Sequence, residues 1–360
     1  WRRIRFGEAR VVVGARSAIF APMEDIGVVI VDEEHETTYK QQEPAPRYHA
    51  RSVAVMLAAY HKGKVLLGTA TPSIESYYNA TTGKYALVNL TTRHRAVQLP
   101  HIEVVDMQEY TRKKLTVGPF ADPLVEAMSR ALKEKKQIIL FQNRRGYAPY
   151  IQCRTCGYSP RCPHCNVTLT RHKASDRMEC HYCGYNMPTP KMCPNCEVQD
   201  MALMGFGTEK VAEEISRLMP EARIERLDGD TSTSERAFKS IVHRFESGEA
   251  DILVGTQILT KGFDFGGVTT VGILNADNLL TMPDFRASER AFQLMMQVAG
   301  RAGRRNDRGR VVIQTSQPTH PVIRFVASGD YHGMALSELA ERRAFGYPPY
   351  SHLIRLLMRH

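Results

Sequence analysis

The chain has 360 residues, enough for two or three domains that bury their own cores without disulfides. At 43% hydrophobic, 24% charged and 8% aromatic it has the composition of a folded globular protein, which excludes disorder. Lys and Arg outnumber Asp and Glu by 48 to 38; the resulting +10 favours a polyanionic partner, and no apolar run approaches the roughly 18 residues of a membrane span. Residues 1–20 carry repeated arginines and no signal-peptide hydrophobic block. The opening WRRIRFGEARVVV reads as a sequence already in progress, so the chain is expected to be part of something longer.

In chain order, VVVG at 11–14, GVVIVDEE at 27–34 and KVLLGTA at 64–70 are expected as buried strands ending in polar loops. Residues 47–62 have the apolar spacing of a helix between the last two. A linker-like stretch near 90–120 leads to a helix at 122–136 and a strand at 137–144, followed by a cysteine-rich block. The alternation then resumes: GTEKVAEEISRLMP as helix, RIERLDGD as strand, ERAFKSIVHRFESG as helix and DILVGTQI as strand. TTVGILNADN and RVVIQTS are two further strands, with RAFQLMMQVAGRAG as the helix between them. The expectation is two α/β layers, with an insertion between the first strand and the following helix of the second.

All eight cysteines lie between 153 and 196, as the C-x-x-C pairs Cys153/Cys156, Cys162/Cys165, Cys180/Cys183 and Cys193/Cys196. In a chain without a secretion signal such pairs read as thiolate ligands for metal, and four pairs make two four-thiolate zinc sites. Only five residues separate the first two pairs, whereas fourteen separate the second from the third, close to zinc-ribbon spacing. Spacing therefore favours a nested arrangement, inner pairs together and outer pairs together, while a cross-braced one also satisfies the sterics.

In sheets of this kind, chemistry sits at the carboxyl ends of strands. Strand 27–31 ends in Asp32-Glu33-Glu34-His35, where one carboxylate can hold Mg²⁺ and the next polarise a water that attacks a nucleotide. Strand 64–68 ends in Gly68-Thr69-Ala70-Thr71-Pro72, hydroxyls able to relay movement. Strand 251–254 runs into Gly255-Thr256-Gln257 and then Lys261-Gly262-Phe263-Asp264. Finally Gln297-Val298-Ala299-Gly300-Arg301-Ala302-Gly303-Arg304 places two arginines across a helical turn, where they can reach a γ-phosphate.

DEEH, GTATPS, GTQILTKGFDF and QVAGRAGR resemble motifs II, III, V and VI of superfamily 2 helicases. With four C-x-x-C pairs after ILFQNRRGYAP, and with VGARSAIFAP, GFGTEK, PDFRASERAFQL and AERRAFGYPPY, the whole chain is similar to the bacterial replication-restart helicases of the PriA (primosomal protein N′) family. The resemblance implies two RecA-like P-loop NTPase lobes with a double zinc-binding insertion in the second. The divisions are 1–95 for the end of lobe 1, 96–152 for the linker and start of lobe 2, 153–197 for the insertion, 198–318 for the rest of lobe 2 and 319–360 for the start of a C-terminal domain. It implies ATP with Mg²⁺ and two Zn²⁺ as cofactors. Asp32 would hold the magnesium, Glu33 act as general base and His35 couple the nucleotide to Thr69 and Thr71. Gln297, Arg301 and Arg304 would approach the triphosphate, with Gly262 and Asp264 lining the cleft. Arg16, Ser17, Tyr39, Tyr48, Arg144, Arg145 and Lys261 would touch DNA. In the family the zinc pairing is nested: Cys153, Cys156, Cys193 and Cys196 for one ion, Cys162, Cys165, Cys180 and Cys183 for the other. The implied partners are single-stranded and forked DNA, primosome proteins, single-stranded DNA-binding protein and replicative helicase loaders, with no membrane. The implied location is the bacterial cytoplasm, on the nucleoid.

The loop after DEEH departs from the family at Pro44-Ala45-Pro46, and no G-x-x-x-x-G-K-[ST] phosphate loop occurs in the 360 residues. This chain alone is therefore expected not to hydrolyse ATP efficiently. Two readings follow: the central part of a 3′-to-5′ DNA motor, or a non-catalytic zinc-ribbon module binding nucleic acid or a partner on a degenerate helicase scaffold. The basic residues Arg154, Arg161, Arg171, His172, Lys173 and Arg177, with Tyr158, His181, Tyr182 and Tyr185, suggest an insertion that guides strands at a duplex junction.

Overall fold

The computed structural model describes residues 1–360 apart from 91, 93–98, 144–149, 173–175, 204–207, 233, 261, 262, 264, 304–307 and 355–360. Two compact units make up the chain, Trp1–Leu87 and Val88–His360. Among the described residues no helix is long and apolar enough to cross a membrane.

In the first unit, helix α1 (Arg2–Arg5) and a 3₁₀ turn at Arg16–Phe20 precede strand β1 (Val28–Asp32). Helix α2 (Ala50–Tyr60) then leads to strand β2 (Lys64–Gly68), which pairs with β1 in parallel, Asp32 opposite Gly68. Ala50, Ala54 and Ala58 recur every fourth residue, so one smooth face of α2 is buried against the pair. Helix α3 (Ile74–Thr81) follows, its first turn capped by the Ser73 side chain, which accepts from the Ser76 N–H. The strand expected at 11–14 is not formed. Val11 and Val13 lie in irregular chain, 79% and 94% exposed. An apolar run becomes a strand only beside a partner backbone, and the described sheet of this unit consists of β1 and β2.

The second unit is built on six parallel strands in the order β12-β13-β6-β14-β15-β3. In chain order they are β3 (His101–Asp106), β6 (Gln137–Gln142), β12 (Ile224–Leu227), β13 (Ile252–Gly255), β14 (Val268–Leu274) and β15 (Arg310–Thr315). Central β6 is buried along its whole length, as its unbroken apolar run requires of a strand covered on both faces. On one face Ile138, Leu140, Ile252, Val254 and Val312 pack with Leu124, Met128, Val211 and Ile215. The first two of those partners belong to helix α5 (Asp122–Lys133) and the others to helix α6 (Thr208–Leu218). Between β3 and α5 lie α4 (Met107–Arg112) and a small hairpin, β4 (Thr116–Val117) with β5 (Phe120–Ala121). The alternate residues Ile139, Phe141, Leu253, Val271 and Ile273 are equally buried on the other face. Helices α7 (Glu235–Glu246), α9 (Ala287–Ala299) and α10 (Pro321–Ser328) contact the sheet, with the short α8 (Asp277–Leu280) before α9 and α11 (Tyr331–Ala344) closing the order.

One expectation is corrected at residues 101–106. They are not linker but edge strand β3, paired with β15 from His101 opposite Arg310 to Asp106 opposite Thr315. Glu103 breaks the apolar run, and its carboxylate meets Arg310 Nη2 at 2.7 Å on the neighbouring strand. The cysteine insertion accordingly leaves the sheet after the second of its strands in chain order. It is closed at its base by β7 (Ile151–Cys153) pairing antiparallel with β11 (Met201–Leu203). Inside it, β8 (Thr170–His172), β9 (Arg177–Glu179) and β10 (Asn186–Pro188) form a three-stranded antiparallel sheet.

Backbone proximity constrains Gly309, just before β15. A Cβ there would lie 2.5 Å from the carbonyl carbon of Ala302 and 2.6 Å from its Cβ, in the turn that follows α9. Gly309→Ala is expected to destabilise the second unit by about 1–3 kcal/mol, measured by denaturant unfolding.

Candidate functional site

In the first unit the acids at the end of β1 divide into a buried one and an exposed pair. Asp32 and Glu33 are exposed, and the Glu33 N–H donates to Asp32 Oδ1 at 3.0 Å. Glu33 holds φ at 48°, a left-handed conformation uncommon for a residue with a Cβ. His35, with 4% of its side chain exposed, places Nδ1 at 2.7 Å from Thr69 Oγ1 and 3.6 Å from Glu33 Oε2. Thr69 Oγ1 also accepts from the Thr71 N–H at 3.0 Å. The imidazole thus bridges the turn after β1 and the turn after β2.

Glu34, the acid that sequence reasoning passed over, anchors this arrangement. Its carboxylate is 1% exposed. It accepts from Ser73 N at 2.6 Å, Ser73 Oγ at 3.1 Å and Ser76 Oγ at 2.9 Å, and it pairs with Arg51 of α2. Burying a carboxylate is costly unless its oxygens are met this fully. The signal in the sequence was a third acid in DEEH for which the chemistry had no use.

The loop after DEEH folds back on the same turn. The Tyr39 hydroxyl donates to the Asp32 carbonyl at 2.7 Å. Burial, then the carboxylates of Asp32, Glu36 and Glu33, raise the Tyr39 pKa. Arg16 Nη1 donates to the carbonyls of Thr38 and Lys40 at 2.9 and 3.3 Å, and its guanidinium sits 5.9 Å above the Tyr48 ring. Tyr48 meets Phe20 edge-on at 4.8 Å. Arg16 therefore braces the aromatic loop. Ser17 is exposed beside it.

In the second unit, Gln297 lies half-buried in the last turn of α9, and Arg301 follows one turn later, 7% exposed. Arg301 Nη1 donates to the Phe263 carbonyl, which ties the end of α9 to the segment after β13. Phe263 is held by stacking on Phe265 at 5.3 Å. Lys261, Gly262, Asp264, Arg304, Arg144, Arg145 and Lys173 lie outside the described residues.

The eight cysteines gather into two tetrads, Cys153/Cys156/Cys193/Cys196 and Cys162/Cys165/Cys180/Cys183, the sulfurs of each within 4.8 Å of one another. Across the pairs, Cys153–Cys196 and Cys162–Cys183 are 3.6 Å apart and Cys156–Cys193 3.5 Å. A zinc–sulfur bond of about 2.3 Å gives a tetrahedral edge of roughly 3.8 Å, so both tetrads fit that ion. The nested pairing is the one formed. Much of the expected basic surface is engaged within the module: Arg171 Nη2 pairs with Asp176 Oδ1 at 2.7 Å, and Arg177 donates to Asn186 Oδ1. Tyr182, expected as a stacking surface, meets Phe285 and Tyr347 edge-on at 6.4 and 6.2 Å and stays 42% exposed.

Glu34→Ala would strand the Arg51 guanidinium and the donors of Ser73 and Ser76. It is expected to cost the first unit about 3 kcal/mol, read as lost amide protection at residues 69–76.

Residues 196–306 match the family described as the helicase conserved C-terminal domain, and residues 162–188 match the PriA DNA helicase Cys-rich region domain. Replication restart protein PriA of Bacillus subtilis (strain 168) is 45% identical over all of this chain and 44% of its own length. The PriA of Synechocystis sp. is 40% identical over 99% of this chain and 44% of its own, and that of Treponema pallidum 43% identical over 100% and 53%. The chain thus spans about half the length of the curated relatives it matches. Over the residues it spans, the chain is similar along its whole length to the PriA replication restart proteins.

Proposed function

We propose that this chain supplies the working centre of an ATP-dependent 3′-to-5′ DNA helicase that acts at stalled or collapsed replication forks in the bacterial cytoplasm and directs primosome assembly and replication restart. The observation that carries the reading is the His35 bridge. Its Nδ1 lies within reach of both the Glu33 carboxylate and the Thr69 hydroxyl, so a change at a nucleotide is felt in a second strand-end turn. A passive binding scaffold has no use for such a link.

In this reading Asp32 holds the Mg²⁺ that accompanies ATP, and Glu33 takes the proton from the attacking water. Thr69 and Thr71 relay the state of the first unit's site; in the second unit Gly262, Asp264, Gln297, Arg301 and Arg304 are the residues that the family's motifs suggest for contact with the nucleotide. Ser17, Tyr39 and Tyr48 of the first unit, with Arg16 shaping their loop, and Arg144, Arg145 and Lys261 of the second are the residues that the family suggests for contact with single-stranded DNA. The two cysteine tetrads hold two Zn²⁺, whose chemistry is structural, since four thiolates leave no open position. Primosome proteins, single-stranded DNA-binding protein and the loaders of the replicative helicase are the partners that the family suggests.

Glu33→Gln in the intact protein is the test. The amide keeps the size and a polar tip but cannot accept the proton, so turnover is expected to fall ~10²–10⁴-fold with nucleotide binding retained. Near-normal hydrolysis would assign the base to another residue. Absence of nucleotide binding in the unaltered protein would favour the scaffold.

A further inference from the structure

The turn after α11 reaches back to the inner cysteine tetrad. The Tyr347 hydroxyl donates to the carbonyl of Cys165 at 2.8 Å, with only 6% of the residue exposed. One residue further along the knuckle, Asn166 Nδ2 donates to Glu341 Oε1 of α11 at 2.9 Å. The Tyr347 ring stacks on Phe285 at 4.5 Å and 13°, and Tyr182 of the same tetrad's second knuckle closes on both rings edge-on at 6.2 and 6.4 Å. Phe285 in turn lies under the guanidinium of Arg342 at 5.2 Å. Arg342 is 1% exposed; its Nη2 donates to Glu289 Oε2 at 2.6 Å and lies 3.6 Å from Glu338 Oε2, while Nη1 donates to the Pro348 carbonyl at 3.3 Å. Glu289 stands in the first turn of α9, the helix that ends with Gln297 and leads to Arg301.

We propose that Tyr347 is a positioning residue of the inner metal centre, and that Phe285, Arg342 and Glu289 carry its restraint to α9, so that filling the inner tetrad and packing the helix of Gln297 are coupled. Two physical points support this. A metal-binding knuckle is a tight turn whose thiolates are aimed by its backbone, so a hydrogen bond to the carbonyl of one ligand residue fixes that sulfur's direction, as outer contacts of metal sites generally do. The chain from Cys165 to Glu289 consists of a part-buried hydrogen bond, a ring stack, a cation–π contact at 5.2 Å and a buried ion pair, and close-packed groups of this kind do not move independently. The outer tetrad has a different support. Gly157, beside Cys156, sits against Gln317 and Ser316 in the turn after β15, where a Cβ would meet Gln317 Cγ at 2.9 Å. The two centres should therefore respond separately.

The experiment is chelator-driven metal release from the zinc-loaded intact protein, followed with a zinc-sensing dye and by hydrogen exchange. Tyr347→Phe keeps the ring stack and removes the hydroxyl. It is expected to speed release of one zinc equivalent about tenfold and leave the other at its original rate. The accelerated phase should coincide with exchange at 162–183, and with increased exchange in 287–299 but not in 235–246. Glu341→Ala, which removes the neighbouring contact on an ordinary helix position, should accelerate the same equivalent. Unchanged release in both variants, equal acceleration of both equivalents, or acceleration mapping to 153–156 and 193–196 would overturn the positioning role. Unaltered exchange in 287–299 after loss of the inner zinc would overturn the coupling.

Discussion

Thiolate–metal closure is the interaction on which the insertion rests. Its apolar core among the described residues is small: Ile151, Val167, Leu169 and Met178, completed by Cys162 and Cys180 themselves. So few aliphatic side chains cannot order about 45 residues alone, and a structural metal supplies the missing energy. What the insertion offers the rest of the unit follows from that closure. The Cys165 carbonyl is available to Tyr347, and Tyr182 can sit against Phe285, only if the inner knuckles are formed.

The turn after β1 separates a fixed carboxylate from an exposed one. Glu34 is buried and saturated with donors from Ser73, Ser76 and Arg51, so it stays in place. Glu33, its neighbour, is exposed, strained at positive φ and within reach of His35. A fixed neighbour of this kind supports a residue in a sparsely populated backbone conformation. The second unit repeats the device with Arg342, which is buried between two glutamates and holds α11 to α9. Burial pushes the Glu338 pKa up to about 7, since one guanidinium does not fully offset the loss of water around two carboxylates.

Much of this was legible in the sequence, for identifiable reasons. Strands β6, β13, β14 and β15 of the second unit are predominantly apolar and rich in β-branched residues, and such runs have little alternative to a doubly covered sheet. That the cysteines form two four-thiolate sites was legible because C-x-x-C dictates local geometry; spacing only favoured the nested pairing over a cross-braced one, and the family resemblance pointed to it. Legibility failed wherever a structure depends on a distant partner. VVVG at 11–14 has a strand's composition but no neighbouring strand among the described residues, while β3 has a charged residue mid-strand and is a strand because Arg310 meets Glu103. Glu34 and Tyr347 act through residues 17 to 182 positions away, which no local pattern records.

Diffraction measured at the zinc absorption edge tests the central claim, that two separate nested metal centres organise the insertion. Two anomalous peaks are expected, one about 2.3 Å from the sulfurs of Cys153, Cys156, Cys193 and Cys196, the other equally close to those of Cys162, Cys165, Cys180 and Cys183. A single peak, or peaks shared between Cys153/Cys156 and Cys180/Cys183, would contradict it.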